Sequence, residues 1–239
     1  MKFKPHDYQK LARNFLLANP KSALFADMGL GKTAIILDML DELFFNRLEI
    51  SKALIIAPLQ VTYNVWPNEI EKWHFSKDVP YHILHGKGRV NPVPDVPLVV
   101  TNYDTIPWIY NQHNVHQQFD CIIFNESTFI KNHGTQRFKM ALAMWGAVDR
   151  IHLLTGTPAP NTLLDLWGQI YFIDHGASLG RTYTDFMHHY FVPPLFGGVG
   201  YSRWKPRRDA MKEITNKISR YSITLRREDW GSIPDVDYQ

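Results

Sequence analysis

Short, nearly continuous apolar runs alternate along this chain with stretches of helical periodicity. In residues 6–17, Tyr8, Leu11, Ala12, Phe15 and Leu16 recur at spacings that put them on one helix face. Asn19-Pro20-Lys21 ends that helix. Ala23-Leu24-Phe25-Ala26 then reads as a buried strand. The helix after Thr33 carries Ile36, Leu40, Leu43 and Phe44 on one stripe, with Asp38, Asp41 and Glu42 left to solvent. Further strands are predicted over 52–57, 81–85, 98–101, 119–124 and 151–155. Helices are predicted over 60–74, briefly after Asn102, and over 139–148 and 163–173. Pro67 must start a new helix or kink the old one. Gly88, Pro92, Pro94 and Pro97 make 87–97 a surface loop. Apolar strands alternating with helices predict a parallel sheet covered on both faces. Ligands of such sheets bind at the carboxyl ends of the strands, where every motif below lies.

From about Asp174 the pattern changes. Gly176, Gly180, Pro193, Pro194, Gly197, Gly198 and Gly200 interrupt an aromatic-rich sequence. A helix is predicted over 208–219, and the alternation of strands and helices is expected to stop, with no second sheet. The chain is thus divided into an α/β lobe, 1–173, and an aromatic, basic extension of helical or irregular structure, 174–239.

Composition narrows the reading. The 239 residues suit one large α/β domain with appendages, and 45% hydrophobic with 21% charged residues is ordinary for a soluble globular protein. A formal charge of +3 does not by itself argue for nucleic acid; only a local cluster could. Residues 201–230 hold such a cluster. Arg203, Lys205, Arg207, Arg208, Lys212, Lys217, Arg220, Arg226 and Arg227 outnumber Asp209, Glu213, Glu228 and Asp229, with Tyr201, Trp204 and Tyr221 interleaved. Contact with phosphates and docking of a solvated helix onto the lobe both remain open. The single cysteine, Cys121, excludes a disulfide framework within the chain and, in its apolar strand, reads as a buried, inert thiol. The pairs His113/His116 and His188-His189 lack the spacing of a metal site. The N-terminus has no apolar signal region, and no run approaches the roughly 20 apolar residues of a membrane span. A soluble intracellular protein is expected.

The stretch Ala26-Asp27-Met28-Gly29-Leu30-Gly31-Lys32-Thr33 carries the clearest chemistry. Strand, glycine-bearing loop, Lys-Thr and helix in that order make a phosphate-binding loop. Glycines let backbone N–H groups approach phosphate oxygens, and the helix N-terminus adds about half a positive charge. Lys32 is suited to the β- and γ-phosphates and the Thr33 hydroxyl to magnesium. Ala26 stands where the general pattern has its first glycine. The bland alternative is a strand–helix turn with a chance Gly-Lys-Thr. Such a loop needs an acidic partner at a neighbouring strand end. The strand at 119–124 runs into Asn125-Glu126-Ser127-Thr128. Glu126 is placed to act as a general base. Asn125 occupies the position where an Asp is expected, which predicts slow or absent hydrolysis with nucleotide binding partly kept. Thr155-Gly156-Thr157-Pro158 ends another strand with two hydroxyls beside a turn, and Gln9 carries an amide that can pair bidentately with adenine. Alone, such a turn is structural more often than not, and a lone Gln on a helix is normally just solvated.

Together these residues resemble the Swi/Snf-like ATPases of helicase superfamily two, with bacterial and phage members most alike. Phe3-Lys4-Pro5-His6-Asp7-Tyr8-Gln9 resembles the family's adenine-reading motif, and Asp27–Thr33 its first motif. Ala57-Pro58-Leu59 with Trp66-Pro67 and Trp73, then Thr101-Asn102-Tyr103-Asp104, resemble the next two. Asn125–Thr128 corresponds to the acidic box and Leu154–Pro158 to the third motif, so the likeness covers 1–173. It implies a three-layer RecA-like P-loop lobe with a mostly parallel central sheet, belonging to a DNA-dependent ATPase that translocates on double-stranded DNA. By resemblance, ATP and magnesium are the cofactors. Gln9, Asp27, Met28, Gly29, Leu30, Gly31, Lys32 and Thr33 hold the nucleotide, Thr33 and Asn125 the magnesium (the latter through water), and Glu126 activates water. Pro58, Leu59, Gln60, Thr101 and Asn102 lie against the DNA backbone, while Thr155 and Thr157 couple DNA contact to the acidic box. The family's second RecA-like lobe, which supplies an arginine finger, is not in these 239 residues. The chain is expected to be a fragment or a half that cannot translocate, from the cytoplasm of a bacterial or phage-infected cell. Leu225–Trp230 resembles the segment leading to that lobe. A non-hydrolysing module that binds ATP and DNA is the main alternative; a small-molecule P-loop kinase leaves the later motifs unexplained.

Overall fold

A computed structural model describes residues 2–146, 148–159, 162–193 and 204–230. The elements follow in chain order as α1 (Asp7–Ala18), β1 (Lys21–Ala26), α2 (Lys32–Asp41), β2 (Ala53–Ala57), α3 (Trp66–Lys72), β3 (Tyr81–Ile83), β4 (Leu98–Asn102), α4 (Ile106–Asn111), β5 (Cys121–Asn125), α5 (Gln136–Trp145), β6 (Arg150–Thr155), α6 (Asp165–Asp174), α7 (Tyr183–Tyr190), β7 (Phe191–Val192), β8 (Lys205–Pro206), α8 (Ala210–Ile218) and β9 (Ser222–Leu225). Seven strands form one sheet in the order β3-β4-β2-β5-β6-β1-β9, and every pairing in it is parallel.

Alternation along each strand divides the core into two layers. In β2, Leu54 and Ile56 join one cluster, while Ala53, Ile55 and Ala57 join the other. The first cluster is closed by apolar residues of α4, α5, α6, α7 and α8, among them Phe138, Phe172, Phe186 and Ile214. The second is closed by α1, α2 and α3 through Leu16, Ile36, Leu40 and Trp66. Both sheet faces are thus covered, giving the expected three layers. No described helix is long and apolar enough to cross a membrane.

Local chemistry sets the element ends. Pro67 lies in the first turn of α3, which follows a π-helical turn at Val61–Val65; a new helix starts there. A second π-helical turn, Glu42–Asn46, extends α2 and buries Leu43 and Phe44. Helix α5 begins three residues earlier than its apolar pattern suggests, because Thr135 caps it by accepting from the Phe138 N–H. Cys121 is fully buried, and that burial pushes its thiol up to about 12, so it is inert.

Two expectations are corrected. A second, two-stranded sheet is present, in which β7 and β8 pair antiparallel with Phe191↔Pro206 and Val192↔Lys205. The strand–helix alternation does not stop near Asp174: α8 leads into β9, and β9 pairs with β1 from Ala23↔Ser222 to Ala26↔Leu225. The chain beyond α6 therefore supplies the edge of the central sheet. Pro194, Gly197, Gly198, Gly200, Tyr201 and Arg203, named above from the sequence, lie outside the described residues.

Candidate functional site

Register explains which motifs meet. Phe25 of β1 pairs with Thr155 of β6, and Asn125 of β5 pairs with Leu154 of β6. The turns that leave β1, β5 and β6 therefore sit side by side at the carboxyl edge of the sheet. Gly29 and Gly31 have φ of 85° and 76°, the left-handed region that favours glycine. Residues 27–31 can thus fold tightly between β1 and α2. A Cβ added at Gly31 would stand 2.5 Å from Gln9 Nε2. The Gln9 amide is fixed by its partners: its oxygen accepts from the His6 N–H at 2.9 Å and its nitrogen donates to the Leu30 carbonyl at 3.3 Å. Helix α1 is thereby tied to the loop it precedes.

Lys32 Nζ donates to the Ala26 carbonyl at 2.7 Å and to the Asp27 carbonyl at 3.4 Å. Burial pushes its pKa down, while the Glu126 and Asp27 carboxylates push it up. A Cβ at Gly156 would lie 3.4 Å from the Ala26 oxygen and 3.8 Å from Lys32 Nζ, so the turn after β6 closes over the ammonium. Glu126 follows β5 in a left-handed conformation, φ 60° and ψ 62°, which costs a non-glycine residue roughly 1–3 kcal/mol. Its Oε2 accepts from the Thr155 hydroxyl at 3.2 Å, and the Thr155 oxygen in turn accepts from the Thr157 N–H at 3.2 Å. The Tyr103 hydroxyl lies 3.0 Å from the Asn125 carbonyl and 3.1 Å from that of Glu126. Asn125, the last residue of β5, is buried.

A cleft of about 560 Å³ opens beside these turns. Gln9, Gly29, Gly31, Lys32 and Thr33 line it, opposite Trp73 and Glu69. Trp73 is braced by its indole N–H donating to Glu69 at 2.8 Å, and Phe3 packs edge-on against its ring at 5.0 Å. The cleft thus joins an aromatic wall to a cationic cradle of backbone N–H groups, an arrangement suited to a planar group carrying several phosphates.

Other residues singled out from sequence stand differently. Leu30 is buried in the core and Met28 is exposed, so neither side chain belongs to the cleft. Asp27 turns toward the end of β9: its N–H donates to the Leu225 carbonyl at 3.1 Å and its carboxylate accepts from the Arg227 N–H at 2.8 Å. Thr101 and Asn102 are buried at the end of β4 and bond internally, Thr101 to the Leu84 carbonyl at 2.7 Å and Asn102 to the Thr105 hydroxyl at 2.6 Å. Leu59 and Gln60 are exposed beside them, as is Tyr63, which bonds His85 at 2.7 Å. Helix α8 buries Ala210, Ile214 and Ile218 against the lobe while Lys212 and Lys217 face out. Phe3, Trp73 and Tyr103 stand within the motifs quoted from the sequence but were given no role there, whereas Gln169, which bonds Ser127 and Pro158, was not marked at all; only its neighbours across the fold reveal it.

A family model described as SNF2-related domain matches residues 8–227. The chain belongs to the SNF2-related family. It is 34% identical over 242 residues to putative protein p41 of Acyrthosiphon pisum secondary endosymbiont phage 1, covering 98% of this chain and 53% of that protein. It is 29% identical to a DNA repair and recombination protein RAD54-like of Gallus gallus, covering 82% of this chain and 29% of that one. The chain spans about half the phage relative and less of the vertebrate one. Among solved structures, the Sulfolobus solfataricus SWI2/SNF2 ATPase core in complex with dsDNA superposes with a TM-score of 0.74 at 23% identity. The match covers 94% of this chain and 45% of that one, and establishes the RecA-like fold.

Proposed function

We propose that this chain is the ATP-binding lobe of a DNA-dependent ATPase that translocates on double-stranded DNA. The observation that carries this reading is the convergence of Lys32, Glu126 and Thr155 beside a glycine-walled cleft that also takes in Gln9. The cradle fits a polyphosphate. Lys32 donates to main-chain carbonyls at 2.7 and 3.4 Å, a side chain at Gly156 would crowd its ammonium, and a side chain at Gly31 would crowd the Gln9 amide. In this reading Gln9 reads adenine, Gly29 to Lys32 hold the phosphates, and Glu126 orients and deprotonates the attacking water. Asp27, Met28 and Leu30 contribute their backbone rather than their side chains. Magnesium would be held by the Thr33 hydroxyl and, through water, by Asn125; when bound it neutralises charge on the phosphates. Thr155, bonded to the Glu126 carboxylate, holds the base, and Thr157 holds Thr155.

Pro58, Leu59 and Gln60 are proposed to meet the DNA backbone. Thr101 and Asn102, whose side chains are spent internally, would shape that surface from beneath. Likeness to an ATPase core that was solved with dsDNA, and to a DNA repair and recombination protein, supports the substrate class. A second RecA-like lobe is proposed as the partner across the cleft. An arginine finger from such a lobe is worth about 10³–10⁵ in rate.

One observation favours a narrower activity. Asn125 offers magnesium a neutral amide where a carboxylate would bring charge, which supports an ATP- and DNA-binding module with little turnover. Phosphate release measured with and without duplex DNA tests this. The expected result is negligible DNA-stimulated hydrolysis by the chain as it stands, with recovery requiring both Asn125→Asp and a second lobe. Robust turnover by the unaltered chain would show that the amide is tolerated.

A further inference from the structure

Helix α6 is clamped against the segment that follows Glu126. Ser127 and Gln169 are both fully buried, and the Ser127 hydroxyl donates to Gln169 Oε1 at 2.6 Å. Gln169 Nε2 donates to the Pro158 carbonyl at 2.6 Å and to the Asp165 carbonyl at 2.9 Å. Carbonyls only accept, so the nitrogen must face Pro158 and the oxygen must face Ser127. The amide therefore has one orientation, with both of its N–H groups used. Two further devices hold the same helix. Lys131 pairs with Asp165 at 2.9 Å, and Gly168 leaves room for the Lys131 carbonyl, which a Cβ there would strike.

These bonds close a ring. From Glu126 it runs through Ser127 and Gln169 to Pro158, and back through Thr157 and Thr155 to the Glu126 carboxylate. Thr155 reaches Glu126 by its side chain, whereas Gln169 reaches it through the main chain at Ser127. Only the second route passes through a helix. We propose that Gln169 is a positioning residue that locks the turn after β6 to the turn after β5, so that both respond as one body when nucleotide enters the cleft. This rests on the ATP reading above. Without the lock, the left-handed Glu126 keeps one tether on its carboxylate but loses the one on its following residue. An amide suits this place because it can accept from one turn while donating to the other; a leucine could fill the volume but join neither.

Hydrogen–deuterium exchange on the full chain, with and without saturating magnesium-ATP, tests the lock. Two variants are compared with the parent. Ser127→Ala cuts one arm with the least disturbance. S127A/Q169L replaces the polar pair with an apolar one, so that no buried hydroxyl is left unpaired and the Pro158 carbonyl loses the Gln169 donor, which cuts the second arm. In the parent, magnesium-ATP should slow exchange in residues 27–33, in Gly156 and Thr157, and in 127–131, each by about fivefold or more. In both variants the protection of 27–33 should persist, while that of 127–131 falls toward the nucleotide-free level. A merely structural pair would raise exchange with and without nucleotide and leave the ATP-dependent change intact; that result overturns the lock. Protection of 27–33 without protection of 127–131 in the parent also overturns it. Absence of any protection at 27–33 in the parent overturns the ATP reading, and the lock falls with it.

Discussion

His152 shows how much a single buried side chain decides. It lies fully buried on β6, with Nδ1 3.0 Å from the Ser22 hydroxyl. That hydroxyl donates to the Asn19 carbonyl, so His152 must donate to it from Nδ1, and the ring is the neutral Nδ1–H tautomer. Burial, helped by the Arg150 charge, pushes its pKa down to about 3. The sign follows from linkage. The unfolded ring takes up a proton near pH 6.5, the folded ring only near 3, so stability is lost progressively as pH falls across that window. Urea unfolding at about pH 7 and about pH 4.5 should show this loss, and His152→Gln should make the dependence shallower. An unchanged slope in the variant would place the acid sensitivity elsewhere. The meeting of Lys32, Thr33 and Glu126 at one edge of the sheet was legible in the sequence because each stands at a fixed offset from a strand end. Gln169 was not, because its partners Ser127 and Pro158 meet it only through packing; along the chain it is one polar residue in an apolar helix.

At the scale of elements, helix α6 depends on Gly168. A methyl added there would strike the Lys131 carbonyl, a backbone atom that cannot swing aside. Gly168→Ala should therefore destabilise the protein by about 1–3 kcal/mol, read as a lower urea midpoint at constant slope. No change would mean that α6 moves freely against the acidic box. Most elements were predictable because buried parallel strands read as apolar runs and the helices between them keep a 3.6 period. Strand β9 escaped because Ser222, Ile223, Thr224 and Leu225 form a short edge strand, only Leu225 of which is fully buried, between Arg220 and Arg226. Its place is set by the β1 edge it completes rather than by its own pattern. The start of α5 was misplaced because Thr135 determines it by capping, which apolar periodicity does not register.

Across the whole molecule, a net charge of +3 conceals an uneven distribution. Helix α8 presents Lys212 and Lys217 outward, with Arg220 just beyond it, while its apolar face is fixed to the lobe. Docking and phosphate contact, open alternatives in the sequence, are therefore compatible. If these three cations meet DNA, replacing them together with alanine should reduce the slope of log affinity against log salt by about 2–3. Titrations of duplex DNA at several salt concentrations would measure it, and an unchanged slope would remove α8 from the interface. On the opposite side of β1, the turns that leave β1, β5 and β6 meet around Lys32. Calorimetric titration of magnesium-ATP into the parent chain and into Lys32→Ala tests the ATP reading of that site most directly. Saturable binding by the parent and none by the variant is the predicted result; equal affinity in the two would contradict the assignment of this cleft.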